Sequence, residues 1–463
     1  MKKHANWSYS PYCPPFFDGG DIYLCRLIPK KDGFSAEWLP CDGCDGYTVF
    51  LSRRFGESNE LTYETRATSF ELDGLDCDCD YCIRIESDGK KSRTRIFHTG
   101  TAFGTAVNYL HPDDGMYSFS GKYLCSPSLV RHPCGCLLAS MDVFAADYPQ
   151  NLTLIFRSDD DGATWHYVSE LFPCFWGKMF IYGGDLYMLS CSTEYGDLLI
   201  GRSTDCGRTF CEPTILLRGS NGKKGECGIH KNPEPVVEFG GRIWNTLEWG
   251  SWGRGYHAPM VMSAPVGSDI LSADSWSFSE PVKYDPTWDG VPSGPSTGNI
   301  EGSLVIRDGN LYNIMRYDMS KLSRRSGLAV VYRVDTDDPE SPLTFERCME
   351  FPANNSKFMI KYDERTGKYY SLATRFISQK TAYDRTLLSL MSSDDLMAWN
   401  VVCDVVDRRC DDPRKVGLQY TDFIIEGDTI IFLCRTAMNG AASFHDANYS
   451  VFDNLKLDPA EDI

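Results

Sequence analysis

The sequence contains no apolar run long enough to span a bilayer, so we expect neither a transmembrane segment nor a membrane partner. Positive charge is also in deficit, because 46 Lys and Arg residues oppose 64 Asp and Glu residues and give a net charge of −18. This balance disfavours nucleic acid as a partner, since phosphate binding requires a basic surface. It does not exclude an anionic substrate, which responds to the local field of its pocket.

The N-terminus lacks the apolar core of a signal peptide, because Met1-Lys2-Lys3 is followed by polar and aromatic residues. We therefore predict a cytoplasmic protein whose 19 cysteines are mostly reduced and packed as small apolar side chains. Export by a route that needs no N-terminal signal stays open.

Glycine and aromatic residues are abundant, and short alternating apolar runs predict an all-β protein. Residues 1–18 are predicted to form an irregular tail, and 19–100 to form a small β-sandwich. Trp38 in the second run, Leu72-Asp73-Gly74-Leu75 and the following Tyr81 make this segment similar to a fibronectin type III module. The resemblance implies a separate N-terminal domain.

The same segment contains Cys41-x-x-Cys44 and Cys77-x-Cys79-x-x-Cys82, a spacing that is also found in zinc sites. In such a sandwich the two groups fall in loops at opposite ends, so one ion could not join them. We therefore expect no metal and no cofactor.

An eight-residue phrase occurs twice, at 158–165 and 203–210, with the pattern Ser-x-Asp-x-Gly-x-Thr-Trp/Phe. Its Ser and Asp side chains suit hydrogen bonds to turn backbone, and Gly permits positive φ. The two copies start 45 residues apart (203 − 158), a regular pitch that indicates repeated units. The phrase resembles the Asp-box of sialidase-like β-propellers, which implies a propeller over 101–463.

Six units are predicted in that region, each with an inner apolar strand, a turn and a second apolar strand. Residues 102–109 are expected to supply the outer strand of the last unit and close the ring, which leaves few free strand edges. Seven units, with the long third unit at 228–285 split, is the alternative. The six strand pairs are 126–130 with 137–140, 176–180 with 186–189, 235–238 with 243–246, 302–306 with 311–314, 357–360 with 370–373, and 422–425 with 430–433.

In a propeller, the starts of first strands and the ends of second strands meet at one face of the axis. The cations at these positions favour an anionic ligand, and Arg suits a carboxylate because its planar fork donates two parallel hydrogen bonds. Trp side chains at the same face could stack on sugar rings. The predicted binding residues are Lys178, Lys357, Arg316, Arg375, Arg435, Trp176 and Trp252.

Over about 118–450 the chain resembles the sialidase family, in which a Glu opens one blade and an Arg ends the second strand of that blade. Glu301 and Arg316 have this arrangement, and Arg375 matches the next family arginine. The resemblance implies that Tyr420 is the nucleophile, Glu301 its base and Asp142 the general acid/base. A phenol with a pKa near 10 needs such a base at neutral pH.

One position departs from the family pattern, because Cys125 stands where the first blade normally provides an arginine. Either another cation (Lys178, His230 or Arg435) replaces that arginine, or the substrate is a related keto-acid sugar or a uronic acid. A structural salt bridge between Glu301 and Arg316 is the alternative reading of that pair.

Three functions follow from these residues. The first is a glycoside hydrolase that releases a terminal acidic sugar, such as sialic acid or a related keto-acid sugar, from a glycan. The second is a uronate-directed lyase or hydrolase in which His230 and Tyr420 move the proton beside the carboxylate. The third is a propeller that binds an acidic glycan without catalysis.

Overall fold

The computed structural model describes Trp7 and residues 22–56, 59–220, 225–292, 296–319 and 326–457. Within these residues the chain forms 33 β-strands and three single-turn 3-10 helices, Trp252–Arg254, Ala273–Ser275 and Gln379–Thr381. The predicted all-β class is confirmed. None of the helices in the described chain is long and apolar enough to cross a membrane. The predicted tail at 1–18 lies outside the described residues except for Trp7, which is buried against Phe210.

Eight N-terminal strands form two sheets that share one core. β1, β2 and β5 form one sheet, and β4, β3, β6 and β7 form the other, with β8 also paired to β6. Leu27, Phe34, Trp38, Val49 and Ile83 are buried in this core. The strands are β1 (Arg26–Lys30), β2 (Gly33–Glu37), β3 (Tyr47–Arg53), β4 (Leu61–Thr65), β5 (Ser69–Asp73), β6 (Asp80–Ser87), β7 (Lys90–Lys91) and β8 (Arg95–His98).

These two sheets pack against the rest of the chain through buried polar contacts. Tyr23 Oη donates to Glu170 Oε2 over 2.7 Å, and the Arg95 guanidinium pairs with the buried Asp114 carboxylate. Burial raises the pKa of Glu170 to about 7, because it outweighs the hydrogen bonds from Tyr23 and Tyr167 that favour the charged form.

Antiparallel four-stranded sheets follow along the chain, three of them built from consecutive strands. As predicted, the segment near residue 105 adds a strand to the last sheet, since β9 pairs with β33. The first sheet contains β10 (Tyr123–Arg131), β11 (Leu137–Phe144), β12 (Leu152–Ser158) and β13 (His166–Leu171), and the second contains β14 (Phe175–Tyr182), β15 (Asp185–Cys191), β16 (Leu198–Ser203) and β17 (Thr214–Leu217). The third contains β27 (Ile360–Asp363), β28 (Lys368–Thr374), β29 (Leu387–Ser393) and β30 (Asn400–Asp407). The last contains β31 (Gly417–Glu426), β32 (Thr429–Ala437), β33 (Tyr449–Lys456) and β9 (Thr105–Tyr109).

A nine-stranded sheet occupies the middle of this series. A single parallel pairing of His257 with Gly298 joins its two halves. In the first half, two short strands both pair with the same long strand, β20, so residues 228–278 form one meander. The strands are β18 (Gly228–His230), β19 (Val237–Phe239), β20 (Arg242–Ser251), β21 (Tyr256–Pro265) and β22 (Ser277–Phe278), then β23 (Ser296–Arg307), β24 (Asn310–Met319), β25 (Leu328–Arg333) and β26 (Thr344–Glu350).

The repeated eight-residue phrase forms the same turn twice, after β12 and after β16. Gly162 N donates to Ser158 Oγ over 2.8 Å and Thr164 N donates to Asp160 Oδ1 over 2.8 Å. The second copy has the equivalent bonds at 2.9 Å and 2.8 Å. Gly162 has φ 91°, and Trp165 is buried beneath its turn. The predicted turn chemistry is confirmed.

A third turn of this kind, between β29 and β30, was missed because it lacks the glycine. Met397 N donates to Asp395 Oδ1 over 2.8 Å, and Leu396 takes the positive φ of 62°. Trp399 Nε1 donates to Leu396 O, as Trp165 Nε1 does to Gly162 O in the first copy.

Candidate active site

Four inner strands carry the same irregularity near their N-terminal ends. The register shifts in β10, β14, β23 and β31, and one residue in each shift has positive φ: Ser126 (50°), Trp176 (55°), Glu301 (60°) and Tyr420 (54°). A bulge turns its extra side chain out of the ladder, and positive φ in a non-glycine residue costs about 1–3 kcal/mol. All four residues line one cavity of about 260 Å³, so the bulges form a common site.

Tyr420 and Glu301 meet directly in this cavity. Tyr420 Oη donates to Glu301 Oε1 over 2.6 Å, and Arg316 Nη1 lies 2.8 Å from Glu301 Oε2. Arg316 also reaches Asp318 Oδ1 at 3.3 Å. Both Glu301 and Arg316 are buried, so their charges face each other away from water. The structure thus brings Tyr420, Glu301 and Arg316 together, and their catalytic roles are a proposal.

The surroundings of Tyr420 and Glu301 shift their pKa values in opposite directions. Burial, and then the Glu301 charge, raise the pKa of Tyr420 to about 12, against the opposing effect of nearby arginines. Burial alone would raise the pKa of Glu301, but Arg316 and then His230 outweigh it and leave that pKa below its usual value. Tyr420 is therefore a neutral phenol at pH 7, and Glu301 is a carboxylate placed to accept its proton.

Arginines surround the phenol. The Arg435 guanidinium lies 5.1 Å from the Tyr420 ring centroid, and Arg385 lies 6.0 Å from it. Arg385 is buried and held by Gln419 Oε1 and by Asn355 O. Burial lowers the pKa of Arg385 to about 10, with Arg316 and Arg435 acting in the same direction, so it still carries its charge at pH 7.

Arg385 was missed, and Arg375 lies elsewhere. Arg375 follows β28 and pairs with Asp404 at 2.9 Å, in a depression shared with Asp384 and Arg409. Successive strand side chains alternate faces. Because Thr374 donates to Leu418 O of the neighbouring β31, its successor Arg375 faces the opposite way. Arg385 lies just before β29, the third strand of its sheet. From the sequence, only the starts of first strands and the ends of second strands were predicted to face the site.

Asp142 also differs from its expected place. It is fully buried, its carboxylate accepts hydrogen bonds from Thr153 Oγ1 and Trp176 N, and it does not line the cavity. Burial raises its pKa to about 7. Glu194 does line the cavity and accepts a hydrogen bond from Gln150 Nε2 over 3.1 Å.

His230 lies in the cavity wall and connects to the central pair through Glu248. His230 Nδ1 is 2.6 Å from Glu248 Oε2, and Glu301 N donates to Glu248 Oε1 over 2.8 Å. The rings of Trp176 and His257 lie 4.4 and 4.7 Å from the His230 ring. These contacts fix His230 beside Glu301.

The predicted lysines lie among other buried charges. Lys178 pairs with Asp422, and Lys357 Nζ lies 3.0 Å from Glu234 Oε1, with all four residues buried. Neither lysine lines the cavity. Each lysine is already paired with a carboxylate, so its positive charge is not available to bind an anionic ligand.

The remaining predicted positions lie on the cavity surface. Trp176 and Trp252 both line it, and Trp252 is 42% exposed. Cys125 is buried in the wall that also includes Arg435. The cavity wall therefore combines indole, guanidinium and carboxylate groups.

The fold has counterparts among solved structures. An intramolecular trans-sialidase from leech, complexed with 2,7-anhydro-Neu5Ac, aligns over 94% of this chain and 92% of its own, at 10% identity and a TM-score of 0.51. An intramolecular trans-sialidase from Ruminococcus gnavus covers 78% of this chain and 99% of its own at 12% identity and TM-score 0.48, and an α-L-arabinanase from Penicillium chrysogenum covers 77% and 99% at 14% identity and TM-score 0.48.

The protein has a propeller-like all-β fold. At these identities the likeness establishes the fold alone. No family model and no curated protein sequence matches the chain.

Proposed function

We propose that this protein is a glycoside hydrolase of the sialidase superfamily that releases a terminal acidic sugar, a sialic acid or related keto-acid sugar, from a glycan. The observation that carries the proposal is the hydrogen bond from Tyr420 Oη to Glu301 Oε1, with Arg316 on the other carboxylate oxygen. The leech neighbour, whose bound ligand is itself an acidic sugar, supports the substrate class.

In this proposal the four-stranded sheets and the two halves of the nine-stranded sheet are the six blades of the propeller. The N-terminal pair of sheets is a fibronectin type III-like module. In that arrangement the four bulged strands bring their positive-φ residues to one face, which supports a site at the mouth of the axis.

The Tyr420 oxygen attacks the anomeric carbon as its proton passes to Glu301, and the glycosidic bond breaks. Water later releases the sugar from the tyrosine. A nucleophile that is neutral before attack avoids repulsion from a carboxylate on the same carbon. Arg435 lines the cavity and is proposed to bind that carboxylate. Arg385 is buried 6.0 Å from the Tyr420 ring centroid, and in this proposal it assists Arg435 in place of Arg375.

The leaving oxygen needs a proton. We assign this step to Glu194 rather than Asp142, because Glu194 lines the cavity while Asp142 is fully buried behind the wall. Trp252, exposed at the rim, offers a stacking surface for the outgoing glycan.

A panel of aryl glycosides of sialic, Kdo-type and uronic acids tests the proposal. The wild type is expected to hydrolyse a keto-acid sugar, Tyr420→Phe to lose that activity, and Tyr362→Phe, which changes a half-exposed tyrosine of β27, to keep it. Absence of turnover contradicts the hydrolase. An unsaturated uronate product identifies the lyase instead, and unaltered ligand after tight binding identifies a binding protein.

A further inference from the structure

A group of metal-ligand side chains lies at the end of β10 remote from the cavity. The turn between β10 and β11 contributes His132, Cys134 and Cys136, and Cys206 comes from the turn after β16. Their candidate ligand atoms all lie within 4.8 Å of one another. Residues 70 positions apart in sequence (206 − 136) thus converge from two adjacent sheets.

The local geometry explains how the four side chains meet. Gly135, with φ 95°, lets the turn double back so that Cys134 and Cys136 lie on the same side, with their Sγ atoms 3.4 Å apart. Cys206 takes a positive φ of 60°, at the turn position where the first copy of the phrase has Asp161. Its Sγ lies 3.5 Å from Cys134 Sγ and 3.6 Å from His132 Nδ1.

The two Sγ–Sγ separations of 3.4 and 3.5 Å and the Sγ–Nδ1 separation of 3.6 Å are close to those in a tetrahedral zinc shell. Zn–S bonds of about 2.3 Å and Zn–N bonds of about 2.0–2.1 Å place sulfurs about 3.8 Å apart, and sulfur and nitrogen about 3.5 Å apart. His132 Nδ1 accepts a hydrogen bond from Cys134 N over 3.2 Å, and a metal bound at this atom would replace that bond. A disulfide would use only two of the three sulfurs. A single ion would use all four ligands, so the group as a whole favours a metal.

We propose that His132, Cys134, Cys136 and Cys206 bind one Zn²⁺ ion. The three thiols lose their protons to solvent on binding, and no oxidation or reduction is involved. Arg157 pairs with Asp159 at 2.6 Å and also lies against Cys206, so a positive charge borders the group. Cys134 is exposed, which gives the ion a route from solvent, whereas Cys136 is buried.

The proposed ion is structural. Four protein ligands fill the shell, which leaves no position for substrate. On the partner strand, Asp142 lies opposite Cys125 and Cys136 lies opposite His132, six positions apart (142 − 136), a distance of about 20 Å at about 3.3 Å per residue. The ion therefore fastens the β10–β13 sheet to the β14–β17 sheet far from the sugar site, and this proposal is independent of the proposed catalysis.

Metal analysis of the full-length chain tests the site. Metal-free protein is reduced, loaded with zinc sulfate alone, desalted and analysed by elemental mass spectrometry. We expect about one zinc per chain in the wild type, at least a tenfold lower content in Cys206→Ser and Cys134→Ser, and an unchanged content in Cys410→Ser, an exposed cysteine outside the group.

Loading with Co²⁺ instead of zinc gives a second readout that needs no variant. The visible spectrum of a tetrahedral cobalt–thiolate centre is expected in the wild type, and addition of zinc should abolish it. Wild-type protein that retains no zinc, Cys134→Ser and Cys206→Ser that retain it fully, loss of zinc in Cys77→Ser, or a disulfide within the group in the protein as purified would each overturn the site.

Discussion

Replacing Glu301 with Gln removes the base while keeping nearly the same shape, so it tests the proposed relay sharply. With a pKa of about 12, only about one Tyr420 phenol in 10⁵ is ionised at pH 7, a deficit of about 7 kcal/mol. Glu301 offsets this deficit in the wild type by taking the proton as the bond to the sugar forms. The substitution also removes a negative charge, and the remaining arginines then lower the pKa of Tyr420 and recover part of the loss.

We therefore expect kcat/KM of Glu301→Gln to fall by about 10³-fold or more at pH 7, within the range that general bases provide. The residual activity should rise about tenfold per pH unit between pH 7 and 9, because it depends on free phenolate, whereas the wild-type activity should not.

Steady-state hydrolysis of the aryl glycoside over this pH range provides the measurement. Glu426→Gln is the matched control, since Glu426 pairs with Arg131 and does not line the cavity. Breaking a buried ion pair costs about 3–5 kcal/mol, so the folded fraction of Glu301→Gln is measured by circular dichroism alongside. A loss below tenfold in folded protein, or residual activity independent of pH, would refute the relay.

Three further predictions concern other parts of the account. Arg385→Ala should raise KM for the acidic sugar by at least tenfold, since a charge-assisted hydrogen bond contributes about 1.5–3 kcal/mol. Arg375→Ala should leave KM unchanged. Equal effects of the two substitutions in steady-state assays would contradict the proposal that Arg385, and not Arg375, binds the sugar carboxylate. Glu194→Gln should lose activity on natural linkages but keep it on aryl glycosides with good leaving groups, and the same pattern in Asp142→Asn instead would reverse the assignment. Because the pKa of Glu170 is raised to about 7, this residue binds more protons in the native than in the unfolded protein between about pH 4.5 and 7, so its contribution to stability should fall as pH rises through that range. Urea unfolding of Glu170→Gln should show a smaller fall, and an identical pH dependence would contradict it.

The turns at 158–165 and 203–210 were predicted well because their signals are local. Turn chemistry depends on side chains two to four residues from the backbone they bind, so the turns at 158–165 and 203–210 could be derived directly. The turn at Asp395 escaped because Leu396 occupies the positive-φ position normally given to glycine.

The candidate site was predicted only where it depends on strand ends. Tyr420 and Glu301 meet because both sit in bulges of inner strands, and their family positions pointed to that face. Arg375 faces away from Tyr420 because successive strand side chains alternate faces, and Arg385 was not considered because it precedes β29, the third strand of its sheet. The burial of Asp142 depends on Thr153 and Trp176 from neighbouring strands, which no local pattern reveals.

The group of His132, Cys134, Cys136 and Cys206 was not predicted from the sequence. The cysteine spacing suggested a metal site only for Cys41, Cys44 and the cysteines at 77–82, and that site was judged unable to hold one ion. Cys206 joins His132 only because adjacent sheets bring their turns together, and a histidine followed by two alternating cysteines has no familiar ligand spacing.

The central claim is that Tyr420 becomes covalently bound to the sugar. Enzyme quenched in acid during turnover of the best keto-acid glycoside can be digested and its peptides weighed by mass spectrometry. The account predicts a mass increase equal to the glycosyl group on Tyr420, absent in Tyr420→Phe. Rapid turnover without an adduct on that residue, or an adduct on another residue, would contradict it.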